Sequence, residues 1–291
     1  MSSAVASTPW AWSLDPLQLA PLLAGACLYA VRVRTLARRG RRVSPGRIAS
    51  FVVGLVLLIV AFVSPIDAIG EERLFSVHML QHVLIGDLAP LAVVLGLSGP
   101  ILRPVLAFPL AGRLRVLAHP LVGLPLWALD LYLWHVPRFY DAALRHDAVH
   151  ALEHGLFFAC GAFLWAALIE PLPGKPWFRT ALKFPYLAAY WVVGGVLANV
   201  FIWSGHPYYP PYVDAPRTWG LSALTDQRLG GGVMLLEGSA VAVGVFAWLF
   251  VRWLREAEAE QALVEGGADP AAAGRAVRYR RRPASVGDRR R

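Results

Sequence analysis

The stretch "SVHMLQHVLIGDLAPL", residues 76–91, places two histidines in an otherwise apolar run. It belongs to a longer apolar segment, 74–97, and a helix that crosses a bilayer needs about 20 such residues. His78 and His82 are four residues apart, so a helix presents both on one face. A polar ring is costly inside a bilayer unless it has a partner. The stretch therefore predicts a transmembrane helix whose paired histidines bind something.

The composition of the chain predicts an all-α, polytopic membrane protein. Its 291 residues are 57% hydrophobic and 16% charged, whereas soluble domains average about 45–50% apolar and about 25% charged residues. Several apolar segments have the length of a transmembrane helix. They cover residues 14–31, 48–66, 74–97, 120–137, 148–170, 184–203 and 229–253. We therefore predict a membrane helix bundle with about seven transmembrane helices.

Arginine and lysine predict the orientation of these helices. Of the 28 basic residues, 23 fall on one side of the predicted bundle and five on the other. The larger group lies in residues 32–47, 98–119 and 171–183 and in the chain from residue 252 onward. Basic residues concentrate on the cytoplasmic side of membrane proteins. We therefore predict that the N-terminus is outside and the C-terminus is cytoplasmic.

The distribution of apolar and charged residues along the chain predicts a membrane domain followed by a polar tail. Residues 1–255 are expected to form the seven-helix membrane domain, and residues 256–291 a basic, disordered cytoplasmic tail, because Ala, Gly, Pro and charged residues dominate it. The arginines of the tail are placed to contact anionic membrane lipids. This location argues against nucleic-acid binding as the reason for the net charge of +9.

The predicted orientation collects seven of the eight histidines in the outer half of the bundle. His150 and His154 repeat the four-residue spacing in the fifth apolar segment, so two pairs at matching depth predict a metal site. Imidazole with thioether favours copper, and imidazole with carboxylate favours zinc or copper. A single histidine such as His135 or His206 also fits a hydrogen bond between helices. Met79 also fits core packing.

Six short motifs follow one another in a fixed order. They are "SPID" (64–67), "SVHMLQHVLIGDLAPL" (76–91), "WHVPRFYDAAL" (134–144), "HALEHGLFFACGAFLW" (150–165), "PYYPPY" (207–212) and "TDQRLGG" (225–231). Together they resemble the CtaG family of cytochrome c oxidase assembly proteins, which are multi-helix membrane proteins of bacteria. The resemblance covers roughly residues 50–250.

This resemblance implies a function in the assembly of a haem–copper oxidase, with copper handling as its mechanism. It implies a multi-pass protein of the bacterial plasma (inner) membrane whose partners are a cytochrome c oxidase subunit and a periplasmic copper donor. Copper is the implied ion, with zinc as the second choice. The functional set carried over on this implication is His78, Met79, His82, His135, His150 and His154.

Two other functions fit some of the same residues. His150, Glu153 and His154 match the H-x-x-E-H pattern of a zinc metalloprotease, with Glu153 as general base. Histidines from two helices also fit the axial ligands of a haem in an electron-transfer subunit. Paired histidines on one helix suit a small ion better than a haem iron, whose axial ligands approach from opposite faces. We therefore expect a carrier of metal ions rather than an enzyme.

Overall fold

The computed structural model describes residues 16–108, 111–173, 179–216 and 219–279, together with residues 10, 12 and 177. Within these residues the chain is helical and contains no strand. The α-helices are α1 (Pro16–Arg38), α2 (Pro45–Val63), α3 (Ile66–Glu72), α4 (Phe75–Val83), α5 (Ala89–Gly96), α6 (Gly99–Leu102), α7 (Ala111–Leu117), α8 (Pro120–Trp134), α9 (Pro137–Arg145), α10 (Asp147–Ile169), α11 (Thr180–Trp203), α12 (Pro210–Asp214), α13 (Ala223–Glu265) and α14 (Pro270–Tyr279). A π-helical segment, Leu84–Leu88, joins α4 to α5.

Six segments in the described chain are long and apolar enough to cross a membrane, as expected for a multi-pass membrane protein. They are Gln18–Arg38, Pro45–Val63, Phe75–Gly96, Asp147–Ile169, Thr180–Trp203 and Ala223–Glu265. Many large apolar side chains on them are exposed, such as Leu28 and Leu236, and lipid is the natural neighbour for such surfaces. The predicted all-α membrane bundle is confirmed at this level.

The fourth predicted span, 120–137, corresponds to the shorter helix α8. This helix has 15 residues, whereas a bilayer needs about 20. It is apolar and ends where His135 and Pro137 interrupt the pattern. A seventh crossing therefore stays a prediction, as does the orientation of both termini.

Helix continues where the sequence predicted a disordered tail. Helix α13 extends to Glu265, and α14 follows from Pro270 to Tyr279. The reason lies in the stretch "EAEAEQALVE" (256–265), because Ala, Glu, Gln and Leu are strong helix formers. The remainder of the predicted tail, residues 280–291, lies outside the described residues.

The contacts divide the chain into two compact units. The first comprises Met1–Pro173 and Val192–Gly238, and the second Gly174–Trp191 and Ser239–Arg291. This division differs from the predicted one at residue 255, because the long helices α11 and α13 contribute to both units. Within the second unit, Trp191 donates a hydrogen bond to Ser239 and Thr180 donates one to Glu256. Every predicted metal ligand lies in the first unit.

In the first unit, α10 packs against α5, α8 and the π-helical segment. Gly161 of α10 lies directly against the carbonyl oxygen of Gly86 in the π-helical segment, and a Cβ at Gly161 would overlap that oxygen. π-Helical turns inside α-helices are frequent at functional sites. This contact places α10, which carries His150 and His154, against the π-helical segment that directly follows α4, which carries His78 and His82.

Asp226 of α13 caps the helix that carries His78 and His82. Its carboxylate accepts hydrogen bonds from the backbone N–H of Phe75, at 2.7 Å, and of Ser76, at 3.1 Å. These groups belong to the first turn of α4, where a helix leaves N–H groups unpaired. The negative charge also suits the positive end of the helix dipole.

We expect Asp226→Ala to lower the free energy of unfolding by about 2–3 kcal/mol, because it leaves buried N–H groups without an acceptor. Denaturant unfolding of the purified protein in detergent measures the change. Asp214→Ala, at the exposed end of α12, is the matched control and should be neutral. Equal stabilities for the two variants would contradict the capping role.

Candidate metal centre

Helices α4 and α10 bring four histidines together. His78 and His82 of α4 and His150 and His154 of α10 each offer a ring nitrogen, and these four atoms all lie within 4.8 Å of one another. All four side chains are buried. Both histidine pairs predicted from their spacing therefore lie at one centre.

The four rings form a closed group. His78 Nε2 lies 2.7 Å from His82 Nε2, and the ring centroids of His150 and His154 are 4.1 Å apart. Across the helices, the centroids of His78 and His150 are 5.5 Å apart, and those of His82 and His154 are 5.6 Å apart. Each histidine of α4 therefore faces one histidine of α10.

Tyr212 of α12 fixes which nitrogen of His78 faces the centre. Its hydroxyl donates to the carbonyl oxygen of Gly70, at 2.9 Å, so its only proton is already used. His78 Nδ1, 2.8 Å from the same hydroxyl, must therefore donate to it. Tyr140 donates to that oxygen as well, at 2.9 Å. His78 Nε2 consequently keeps its lone pair toward the other histidines.

Burial raises the pKa of Tyr212 and of Tyr140. Both phenols therefore stay protonated over the physiological pH range, and the donor directions in this network persist. A ligating histidine is normally oriented by a hydrogen bond of this kind from its other ring nitrogen.

Glu71 orients His150 in the same way. Its carboxylate oxygen lies 2.9 Å from His150 Nδ1, which holds a proton on Nδ1 and turns Nε2 away from the carboxylate. A carboxylate in this position also makes the imidazole a stronger donor to a metal. Glu71 belongs to the short helix α3, which packs directly against α4.

The cluster holds buried polar atoms that find no hydrogen-bond partner in the described part of the chain. They are His82 Nδ1, His150 Nε2, both nitrogens of His154 and both carboxylate oxygens of Glu153. Glu153 is close to the centre, since its Oε1 lies 3.9 Å from His82 Nε2. Buried polar atoms are nearly always satisfied in native proteins, so this concentration fits the donor set of a metal ion.

The four histidines must adjust to hold an ion. Metal–imidazole bonds of about 2.0 Å in a tetrahedral site place two nitrogens about 3.3 Å apart. The His78 and His82 nitrogens, at 2.7 Å, must therefore separate, and donor nitrogens that lie as far as 4.8 Å apart must approach each other. The arrangement can bind copper or zinc.

His135 and Met79 lie beside this group rather than in it. His135 Nε2 contacts Met79 Sδ at 3.3 Å, and the His135 ring centroid is 6.1 Å from that of His82. Neither residue belongs to the four converging donors. The structure therefore divides the six predicted ligands into a four-histidine cluster and a neighbouring pair.

Four other polar residues lie outside this group, and three of their side chains make hydrogen bonds within the fold. His206 is exposed, and the ring of His119 caps α8 by accepting from the backbone N–H of Leu121. Asp87 accepts a hydrogen bond from the indole of Trp165, at 2.7 Å. Asp130 accepts one from the indole of Trp134, at 2.9 Å.

Sequence reasoning missed Tyr212, Tyr140 and Glu71 as partners of the ligands. Both tyrosines stand in quoted motifs, "PYYPPY" and "WHVPRFYDAAL", but nothing local in those motifs indicates which side chain they meet. Glu71 reaches His150 only because α3 folds back against α4. These contacts join distant parts of the chain, so spacing rules do not reveal them.

A cavity of about 370 Å³ borders the cluster on one side. It is lined mainly by apolar side chains of α1, α2 and α10, including Leu58, Phe62 and Phe158, and His154 contributes a polar wall. The histidine cluster is therefore next to open space between apolar helices.

We expect Tyr212→Phe to weaken metal binding by about 10- to 100-fold, the usual cost of losing a hydrogen-bond partner of a metal ligand. The change removes the acceptor that fixes the His78 tautomer. Tyr208→Phe is the control, because Tyr208 is anchored through its backbone N–H to Gln227. Metal titrations of the two purified variants measure the difference, and equal affinities would contradict the orienting role.

The chain is similar to proteins of mycobacteria. It is 26% identical to the uncharacterized proteins Mb0105 of Mycobacterium bovis and MT0111 of Mycobacterium tuberculosis over 267 residues. It is 24% identical to the uncharacterized protein ML1998 of Mycobacterium leprae over the same length. Each alignment covers 84% of this chain and 40% of the relative, so the chain spans about two fifths of these proteins.

No solved structure matches this chain significantly. The family model "Cytochrome c oxidase caa3 assembly factor (Caa3_CtaG)" matches residues 27–256, which include the three helices, α4, α8 and α10, that carry or end at the predicted ligands. The match covers far more than half of the chain and extends the resemblance seen in the motifs to the second half of α1 and to residue 256 within α13. This chain belongs to the cytochrome c oxidase caa3 assembly factor family.

Proposed function

We propose that this protein is an integral membrane assembly factor that holds copper at the four-histidine cluster and delivers it to cytochrome c oxidase. One observation carries the proposal: four buried imidazoles on two apolar helices converge within 4.8 Å. Because the chain belongs to a family of cytochrome c oxidase assembly factors, we take the oxidase as the protein that receives the copper. Copper is the cargo in this account and not a resident cofactor.

Two carboxylates lie beside the four imidazoles, which are neutral when they bind a metal. Glu71 Oε1 is 2.9 Å from His150 Nδ1, and Glu153 Oε1 is 3.9 Å from His82 Nε2. Net charge is expensive in a buried site at membrane depth, so these carboxylates would offset the charge of a bound ion.

Delivery requires an entry and an exit. The basic residues of the sequence favour an orientation in which the starts of α4 and α10 face the periplasm, so a periplasmic copper donor can reach the cluster. The cavity beside His154 offers an exit in the plane of the membrane. A membrane-embedded oxidase subunit would receive the ion there.

We expect reporter fusions to place residues 205–216 in the periplasm and the chain after Arg255 in the cytoplasm. The 23-to-5 division of basic residues is the physical reason. A periplasmic phosphatase and a cytoplasmic fluorescent reporter at these two positions measure it. Opposite signals at both positions would put the histidine cluster on the wrong side for a periplasmic donor.

Analysis of the purified protein separates this function from its alternatives. Copper delivery predicts a protein that binds copper stoichiometrically and has no Soret band, whereas a haem subunit shows one. Four donor atoms within 4.8 Å surround a volume suited to an ion, while haem iron takes axial ligands on opposite faces of a macrocycle. A purified protein that binds no copper would refute the proposal.

Zinc-dependent proteolysis is the second candidate, because Glu153 has both carboxylate oxygens unpartnered within the described structure and lies near the cluster. A zinc metalloprotease would use this carboxylate as the general base that activates a zinc-bound water. Glu153→Gln would then abolish peptidase activity while zinc stayed bound. Under the delivery account, this variant lowers copper binding only moderately, because all four imidazoles remain.

A further inference from the structure

His135 and Met79 present two acceptor atoms to each other in a buried position. His135 Nε2 lies 3.3 Å from Met79 Sδ, and the side chains are 6% and 0% exposed. His135 is at the end of α8, and Met79 follows His78 on α4. The pair therefore joins a third helix to the helices that hold the four-histidine cluster.

The hydrogen bond made by His135 Nδ1 decides whether a proton lies between His135 Nε2 and Met79 Sδ. His135 Nδ1 is 2.7 Å from the carbonyl oxygen of Leu131, and a carbonyl oxygen only accepts. The ring proton is therefore on Nδ1, and Nε2 carries a lone pair. A thioether sulfur is also only a weak acceptor, so no proton of a neutral His135 lies between Nε2 and Sδ.

A second proton on His135 would need a negative partner. Within the described residues, no carboxylate is hydrogen-bonded to this ring, whose polar contacts are Leu131 and Met79. Around the pair stand aromatic rings instead, with Phe201 at 5.7 Å and Phe157 at 6.1 Å from the His135 centroid. Two facing lone pairs in an apolar pocket fit a soft cation.

We propose that Met79 and His135 form a second subsite, specific for a soft monovalent cation such as Cu(I), beside the four-histidine cluster. Thioether sulfur selects Cu(I) over harder ions. Metal–nitrogen and metal–sulfur bonds of about 2.0 and 2.3 Å at a tetrahedral angle place the two donors about 3.5 Å apart. The observed 3.3 Å needs almost no movement.

His82 connects the two subsites. Its ring centroid is 4.2 Å from that of His78 and 6.1 Å from that of His135, and its Nδ1 has no hydrogen-bond partner in the described chain. An ion can therefore exchange between the cluster and the pair with His82 as the shared neighbour. The ion stays Cu(I) throughout, so the transfer needs no electron donor or acceptor.

This inference rests on the proposed function, and X-ray absorption of the purified full-length protein tests it. Under anaerobic conditions the wild type should bind two Cu(I) ions and show a sulfur neighbour at about 2.3 Å. Met79→Leu, a substitution of similar volume, should bind one Cu(I) ion with nitrogen neighbours only. Zn(II), which the cluster alone accepts, should bind equally to both proteins.

Met234→Leu is the matched control, because Met234 packs against the same aromatic cluster as Met79. It should keep the sulfur neighbour and both Cu(I) ions. A wild type with nitrogen neighbours only, or a sulfur neighbour that persists in Met79→Leu, would overturn the second subsite and leave the four-histidine site standing. A wild type that binds neither Cu(I) nor Zn(II) would overturn the proposed function as well.

Discussion

Replacing His82 and His154 together with alanine should lower the copper affinity of the four-histidine site by more than about 100-fold, the upper end of what loss of a supporting residue alone costs. The two residues come from different helices, and their rings face each other with centroids 5.6 Å apart. The double change leaves one histidine on each helix, which cannot enclose an ion. Competition of the purified protein with a copper chelator of known affinity measures the loss.

His146→Ala is the control for this experiment. His146 precedes His150 by one helical turn, is exposed, and makes no capping hydrogen bond with its side chain. It should bind copper as the wild type does. Equal affinities for the double variant and the wild type would refute the four-histidine site, provided that both proteins are inserted and folded.

Replacing Gly161 with alanine should destabilise the protein by about 1–3 kcal/mol or more, the cost of overpacking a tight interior. A Cβ there overlaps the carbonyl oxygen of Gly86, and backbone cannot move aside as a flexible side chain can. Removing this overlap requires α10 to shift away from the π-helical segment. We expect copper affinity to fall with stability, because the same shift separates the histidine pairs.

Gly155→Ala provides the comparison within the same helix. A Cβ at Gly155 meets nothing within 4 Å, and alanine in a helix interior is favoured over glycine by about 1 kcal/mol. This variant should be unchanged or slightly more stable. Thermal unfolding of both variants in one detergent measures the difference, and a Gly161→Ala protein as stable as the wild type would contradict the close contact.

Local sequence rules predict the parts of this protein that depend on one helix at a time. The spacing of His78 with His82 and of His150 with His154 follows from helix geometry alone, and the structure joins the pairs at one centre. Apolar length likewise predicts the long helices. The order of the motifs gave the family, which the family match confirms.

Contacts between distant segments could not be predicted in this way. Asp226 caps α4 from 150 residues away, and Tyr212 meets His78 from 134 residues away. The separation of His135 and Met79 from the four-histidine cluster also depends on how α8 meets α4. Such features need the packed bundle, because no periodicity in the sequence encodes them.

The predicted and the observed helix bounds differ where amino-acid composition and helix propensity point to different structures. The segment from residue 256 is charged and was predicted to be disordered, yet its Ala, Glu and Leu content continues α13 to Glu265. Helix α8 is apolar but has only 15 residues. Composition alone therefore overestimates disorder after residue 255, and it does not decide whether α8 crosses the membrane.

Delivery of copper to the oxidase is tested by the copper content of the oxidase made in cells that lack this protein. Cells are complemented with the wild type, the His82/His154 double variant or the His146→Ala control, and the oxidase is purified from each. We expect normal oxidase polypeptide in all of these cells, with copper and activity depleted in cells that lack the protein and in cells that carry the double variant. A fully metallated and active oxidase from cells that lack this protein would contradict it.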